Sequence, residues 1–187
     1  METSTTNQLF SKDDLKKLII PLLFEQALAI TVGMADTVMI SSAGEAAVSG
    51  VSLIDMFNNL IISVLAALAT GGAVVTSQFL GAGKKEDACK SAKQLIVSSV
   101  CITIGISILV MVFCNGIISL FFGKIEADVF HNAVIYMMIS ALSFPFLALY
   151  NSCAALFRSM GNSQITLKVS VVENIINIGG NALGVYV

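Results

Sequence analysis

The chain has 187 residues, of which 56% are hydrophobic and only 12% are charged, and its formal net charge is −2. A water-soluble domain of this length could not cover so much apolar surface with so little charge, so the composition excludes that class and indicates a protein of the lipid bilayer. The small net charge gives no indication of a nucleic-acid partner.

Apolar stretches predict five membrane-spanning helices, because the core of a bilayer needs about 20 apolar residues. Three stretches, 56–83, 94–123 and 129–157, contain no Asp, Glu, Lys or Arg. Two more, 18–40 and 165–187, are apolar apart from a few ionisable residues. We therefore predict an all-α polytopic membrane protein with spans at approximately 18–40, 51–80, 94–122, 129–157 and 164–187.

The distribution of basic residues predicts how these spans are oriented. Residues 1–17 form a polar leader, which contains acidic residues and lacks the features of a cleaved signal peptide. With five spans, this leader lies on the same side as the 81–93 and 158–164 loops, and nine of the ten basic residues fall on or next to that side, with only Lys124 opposite. Basic residues in short loops mark the cytoplasmic face, so we predict a multi-pass protein of the cell membrane with a cytoplasmic N terminus.

The first span contains the residue with the strongest functional indication, Asp36. A charged side chain near the middle of a membrane costs about 3 kcal/mol, so it persists mainly where it faces a cavity or a partner. Helical rise places Asp36 about 27 Å from the inner end of its helix. Glu25 lies eleven residues earlier, on nearly the same face, and Gln26 follows it.

The second to fourth spans contain fewer residues that indicate an ion or substrate site. The second begins near Asp55 and becomes rich in Ala and Gly, which permits close helix contact. The third has few polar side chains, and the fourth contains Pro145 and Asn151. We predict a substrate cavity lined by four polar residues, although solvation or hydrogen bonds between helices would also account for them. These residues are Gln26, Asp55, Asn151 and Asn174.

The fifth span supplies two amides to the predicted ion site. Asn177 and Asn181 are four residues apart, so they share a helix face, and they lie roughly 18 and 24 Å from the inner end. A carboxylate with two amide oxygens at similar depth could bind Na⁺ or take up a proton. We therefore predict a cation site at Asp36, Asn177 and Asn181; the alternative is that Asp36 only caps or hydrogen-bonds a neighbouring helix.

Catalytic motifs are missing from the sequence. It has one His and contains no HExxH, nucleophile elbow or phosphate loop. The four cysteines are spaced too widely for a zinc motif or a disulfide framework. We therefore expect a protein that is not an enzyme and that needs no cofactor other than a coupling ion.

Four segments, taken in order, resemble the multidrug and toxic compound extrusion (MATE) transporters. They are Pro21 and Gln26 followed by GMADTVMI, then TSQFLGAGKKEDA, FRSMGNSQ and VVENIINIGGNALG. The resemblance implies a cation-coupled antiporter of about twelve helices in two six-helix lobes, which exports amphipathic organic compounds or drugs. This chain would supply five helices of the N-terminal lobe, and the C-terminal lobe would be its missing partner. The abrupt end at Val187 likewise leads us to expect a truncation.

The resemblance also implies roles for the predicted ion site. Asp36 corresponds to the first-helix aspartate of cation coupling, and Asn177 and Asn181 correspond to two polar positions of the fifth helix. Members of the family often have Asp at the second of these fifth-helix positions. Because this chain has Asn181 there, its site has one carboxylate fewer, and either Na⁺ or H⁺ could be the coupling ion. The rival interpretations are a lipid-linked sugar flippase, which would need several cationic cavity residues, and a non-transporting membrane scaffold.

Overall fold

The structure, a computed structural model, describes residues 12–42 and 44–186, apart from the side chains of residues 14, 182 and 184–186. Within that part of the chain it consists of five α-helices, and the predicted all-α fold is confirmed. Residues 1–11 of the predicted leader, and Val187, lie outside the described residues. The helices are α1 (Lys12–Ser41), α2 (Glu45–Gly81), α3 (Lys85–Phe122), α4 (Ala127–Ser159) and α5 (Ser163–Tyr186).

Four of the helices, α1 to α4, are long and apolar enough to cross a membrane. The remaining helix, α5, has 24 residues and carries Lys168 and Glu173 together with several Asn residues. In the described chain it does not reach the same combination of length and hydropathy. The membrane crossing of α5 therefore stays a prediction.

Every helix begins earlier than its predicted span, by six residues or more in α1, α2 and α3. α1 starts at Lys12, α2 at Glu45 and α3 at Lys85, whereas the apolar pattern predicted spans from 18, 51 and 94. The first turn of α2 carries Glu45, and that of α3 carries Glu86 and Asp87. Negative side chains stabilise the positive N-terminal end of a helix, so the helices continue beyond the apolar segment.

Short connections separate the helices, and each contains one glycine with a positive φ angle. The connections have three or four residues, which forces consecutive helices to run in opposite directions. A positive φ is strained for residues with a Cβ, and glycine adopts it freely. As a result, the late parts of α1 and α5 lie at the same end as the early parts of α2 and α4. The glycines are Gly44 (104°), Gly83 (74°), Gly123 (67°) and Gly161 (82°).

The helices pack in two groups. α4 packs against both α2 and α3, and these three form the main bundle, whose core contains Ile54, Val110, Met137 and Phe144. α1 packs mainly against α5, and this pair makes only sparse contacts with the bundle. The space between the pair and the bundle is therefore where cavities can form.

Small residues occupy the centre of the bundle, and large apolar residues point outward. Ala133, Ala141 and Ala148 of α4 are fully buried, as is Ser152, whereas Leu142 on the same helix is exposed. Lipid tails are as apolar as leucine, so helices in a bilayer associate through close packing of small residues. The packing thus fits the membrane setting that the composition predicted.

Gly50 lies where α2 approaches α4 most closely. A Cβ at this position would come within 3.0 Å of the backbone N of Ala133 and the backbone O of Val129. Gly71 on the same helix has no atom within 4 Å of a Cβ. We expect Gly50→Leu to destabilise the protein by about 1–3 kcal/mol, because two backbones must separate, and Gly71→Leu to be nearly neutral.

This difference can be measured by thermal unfolding in detergent micelles, in a background where Cys89, Cys101 and Cys153 are replaced by Ala, so that a thiol-reactive dye reports exposure of the buried Cys114. Equal midpoints for the two glycine variants would contradict the close approach of α2 and α4.

Candidate cation site

The reversal of chain direction brings Asp36 and the two amides of α5 to the same end of the molecule. The amide nitrogen Nδ2 of Asn181 donates a hydrogen bond of 2.7 Å to the carboxylate oxygen Oδ1 of Asp36. The same nitrogen donates a second hydrogen bond of 3.2 Å to Oδ1 of Asn177. The structure therefore brings the three predicted residues together, across the contact between α1 and α5.

Two oxygens converge on one amino group in this arrangement. Oδ1 of Asp36 and Oδ1 of Asn177 both accept from Asn181, and the bond to Asp36 is a short, charge-assisted one. The NH2 group of the Asn181 amide donates to both oxygens, so the position it occupies is one where positive charge is favoured. Carboxylate and amide oxygens are also the ligands that hard cations prefer.

These three residues line a cavity of about 460 Å³ that is bounded by α1, α2, α4 and α5. Asp36 and Asn181 are half-buried, whereas Asn177 is exposed. The same cavity is lined by Asp55 of α2 and Tyr136 of α4. A second carboxylate therefore shares the space of the first.

Asp55 is hydrogen-bonded to Tyr136, a residue that sequence analysis did not single out. The phenol oxygen of Tyr136 donates a bond of 2.9 Å to Oδ1 of Asp55, and so connects α4 to α2. The negative charge of Asp36 also acts on this phenol. Tyr136 thus bonds one of the two carboxylates and lines the cavity that both share.

A second cavity, of about 470 Å³, adjoins the first along the contact between α2 and α4. Asp55, Tyr136 and Asn177 line both cavities. Within the second, the amide nitrogen of Asn58 donates a 3.1 Å bond to the hydroxyl of Ser140, one turn beyond the bond between Asp55 and Tyr136. We call these two adjoining spaces the outer cavities, after the orientation that the basic residues predict.

The four residues predicted to line a substrate cavity do not share one cavity in the described chain. Asp55 lines the outer cavities, whereas Asn151 lines a separate cavity of about 410 Å³ near Arg158. The amide of Asn174 donates to Ser170 on its own helix at 3.3 Å, and Gln26 is exposed. Of the four, Asp55 is the one that lies beside the predicted cation site.

An ion pair joins α1 to α4 near the opposite end of the helices. A guanidinium nitrogen of Arg158 lies 3.8 Å from Oε1 of Glu25, and the side chains are 37% and 15% exposed. The other oxygen of Glu25 is buried and accepts no hydrogen bond from the described residues. Glu173 of α5 is near enough for its charge to interact with that of Glu25.

Side chains typical of transition-metal sites do not cluster in the part of the chain that the structure describes, where no three His, Cys, Asp or Glu residues are grouped. The chemistry of the outer cavities is instead that of carboxylate, amide, phenol and hydroxyl oxygens. Such a set suits an alkali cation, a proton or an organic cation, and it lacks the imidazole and thiolate ligands of zinc or copper.

The sequence matches a family model and is similar to the sequences of two other proteins. A family model described as MatE matches residues 21–183. The chain is 31% identical over 166 residues to an uncharacterized transporter, YisQ, of Bacillus subtilis. That match covers 89% of this chain and 36% of YisQ. The chain is 25% identical over 172 residues to a probable multidrug resistance protein, NorM, of Thermotoga maritima, with the same two coverages.

A solved structure has a similar arrangement of helices. It is a transporter of the MOP superfamily from Pyrococcus furiosus, and it matches with a TM-score of 0.84 and 20% sequence identity. The match covers 92% of this chain and 38% of the solved chain. The present chain therefore spans little more than a third of the length of these proteins.

Proposed function

This chain belongs to the MatE family, and from that membership we propose that the full-length protein is an antiporter that exports amphipathic organic compounds in exchange for Na⁺ or H⁺. The resemblance that the four sequence segments predicted is thereby confirmed. The observation that carries the proposal is the bond from Asn181 to Asp36, which joins a membrane carboxylate to an amide of a second helix.

The ion acts by removing the negative charge of Asp36. Na⁺ would take the position of the amino group of Asn181 and be bound by the oxygens of Asp36 and Asn177, and rotation of the Asn181 amide would add its carbonyl oxygen. A proton would instead convert the carboxylate to a neutral acid and weaken the charge-assisted bond. Either ion changes the contact between α1 and α5.

The change in the contact between α1 and α5 affects the rest of the protein because the helices pack in two groups that can move relative to each other. Because the pair of α1 and α5 makes few contacts with the bundle of α2, α3 and α4, the pair can shift without disrupting the bundle core. An ion that binds one arrangement of the pair more tightly shifts the population toward it. Alternation between such arrangements would open the substrate cavity to one side of the membrane at a time.

We further propose the setting in which this occurs. The protein lies in the cell membrane with its N terminus in the cytoplasm, as the basic loops predict, and a second lobe completes the transport path. The relatives, of which this chain covers 36%, are long enough to hold such a lobe. On this proposal the protein moves its substrate without altering it chemically.

The experiment is efflux of a fluorescent organic cation from proteoliposomes that contain the full-length protein. We expect export to start when an inward gradient of the coupling ion is applied. A Na⁺ gradient at constant pH and a pH gradient without Na⁺ are applied separately, so that the responding gradient identifies the ion. If neither gradient drives export of any amphipathic compound tested, the proposed function is wrong.

A further inference from the structure

Asp55 is a carboxylate of the outer cavities that the cation site does not use. Its oxygen Oδ1 accepts the bond from the Tyr136 phenol, which fixes the side chain against α4. The described structure shows no ion pair of Asp55 with Lys or Arg, unlike that of Glu25 with Arg158. Its negative charge is therefore oriented and uncompensated.

The surroundings of Asp55 favour a positively charged ligand. Among the described residues that line the outer cavities, none is Lys, Arg or His, and two are carboxylates. Asp36 already has Asn181 as its partner, at 2.7 Å, and takes the coupling ion in the proposed function. Asp55 has only a neutral phenol, so a positive charge beside it is stabilised and has no competing side chain.

The walls next to Asp55 suit an organic ligand. The second of the outer cavities combines polar groups with the accessible apolar side chains of Ile62 and Leu147. Its volume of about 470 Å³ falls within the range of roughly 300–1,000 Å³ typical of small-molecule sites. An inorganic ion would leave most of that apolar surface without a contact, whereas an amphipathic molecule would cover it.

We propose that Asp55, oriented by Tyr136, binds the positively charged group of an organic substrate, whose apolar body lies against Ile62 and Leu147. This inference rests on the proposed function, and it adds a residue that selects for charge. It separates the roles of the two carboxylates, since Asp36 binds the coupling ion and Asp55 binds the substrate.

The test measures binding to the full-length protein in lipid nanodiscs. The probes are 4-phenylbenzyl-trimethylammonium and 4-neopentylbiphenyl, which differ only in that carbon replaces the charged nitrogen. The Asp55→Asn variant keeps the shape of the side chain and an oxygen that can accept from Tyr136. Asp128→Asn is the matched control, since Asp128 is an exposed carboxylate at the start of α4.

We expect Asp55→Asn to raise the Kd of the cation about ten-fold or more and to change the Kd of the neutral probe less than about two-fold. Asp128→Asn should change neither, and Asp55→Glu, which keeps the charge, should retain the preference for the cation. Equal effects on both probes, or no effect on the cation, would show that Asp55 is structural and would overturn the inference. If the unmodified protein binds no organic probe and exports none, the proposed function itself fails.

Discussion

Replacement of Asp36 by Asn is expected to reduce ion-driven export to the rate measured without an ion gradient. The variant keeps the shape of the side chain and its bond with the amide of Asn181, but it is permanently neutral. Neither Na⁺ nor a proton then has a charge to remove, so the contact between α1 and α5 no longer depends on the ion. Coupling free energies of about 1–3 kcal/mol correspond to roughly 5- to 150-fold, and we expect a loss near the upper end.

The measurement is efflux from proteoliposomes with the full-length protein, with the gradient on and off. Asp128→Asn serves again as the control, because it removes a carboxylate outside the outer cavities. The variant should remain well folded, with normal insertion and monodisperse elution. Export that still responds fully to the gradient in Asp36→Asn would refute the coupling role, and a loss of stability alone would favour a scaffold.

Reversal of the charges at Glu25 and Arg158 is expected to give the second large effect. Arg158→Glu adds a third negative charge near Glu25 and Glu173, and Glu25→Arg brings two positive charges together. Glu25 is only 15% exposed, and a buried charge left without its partner costs about 3 kcal/mol, so each single variant should be destabilised to about that extent and should export more slowly. The double variant Glu25→Arg, Arg158→Glu restores opposite charges and should recover most of the activity.

Efflux and thermal stability are both measured for the three variants. Recovery should be incomplete, because Nε of Arg158 also donates to the carbonyl oxygen of Ala154, a bond that a glutamate cannot make. If the double variant is no better than the weaker single variant, the two residues do not act as a pair. Gln at position 25 is a milder control that removes the charge without reversing it.

The sequence was sufficient to predict the main features of the site that depend on position along a helix. Asp36 stands out because charge is rare in an apolar span, and the spacing of Asn177 and Asn181 places both amides on one face. Counting the rise of each helix then puts the three at similar depth. Because short connections make consecutive helices alternate in direction, the three residues also lie at the same end of the molecule. The shared depth thus follows from the sequence, whereas the contact between α1 and α5 is seen only in the structure.

Some contacts depend on how each helix is rotated about its axis and on which helices are neighbours. These contacts could not be predicted from the sequence. Tyr136 occurs in an apolar span like any aromatic residue, and its bond with Asp55 requires that α4 lie beside α2 with those faces turned together. The pairing of Glu25 with Arg158 requires α1 and α4 to meet at one end. Helical periodicity gives the face of each helix, but not which helix it meets.

The two polar contacts of α1 have a mechanical consequence, because they lie on different helices and at different levels. Asp36 accepts a hydrogen bond from Asn181 of α5 near the connection from α1 to α2, and Glu25 pairs with Arg158 of α4 near the connection from α4 to α5. α1 is one continuous helix, so a tilt of α1 would alter the distances in both contacts at once. A change of charge at either contact would thereby be transmitted along α1 to the other.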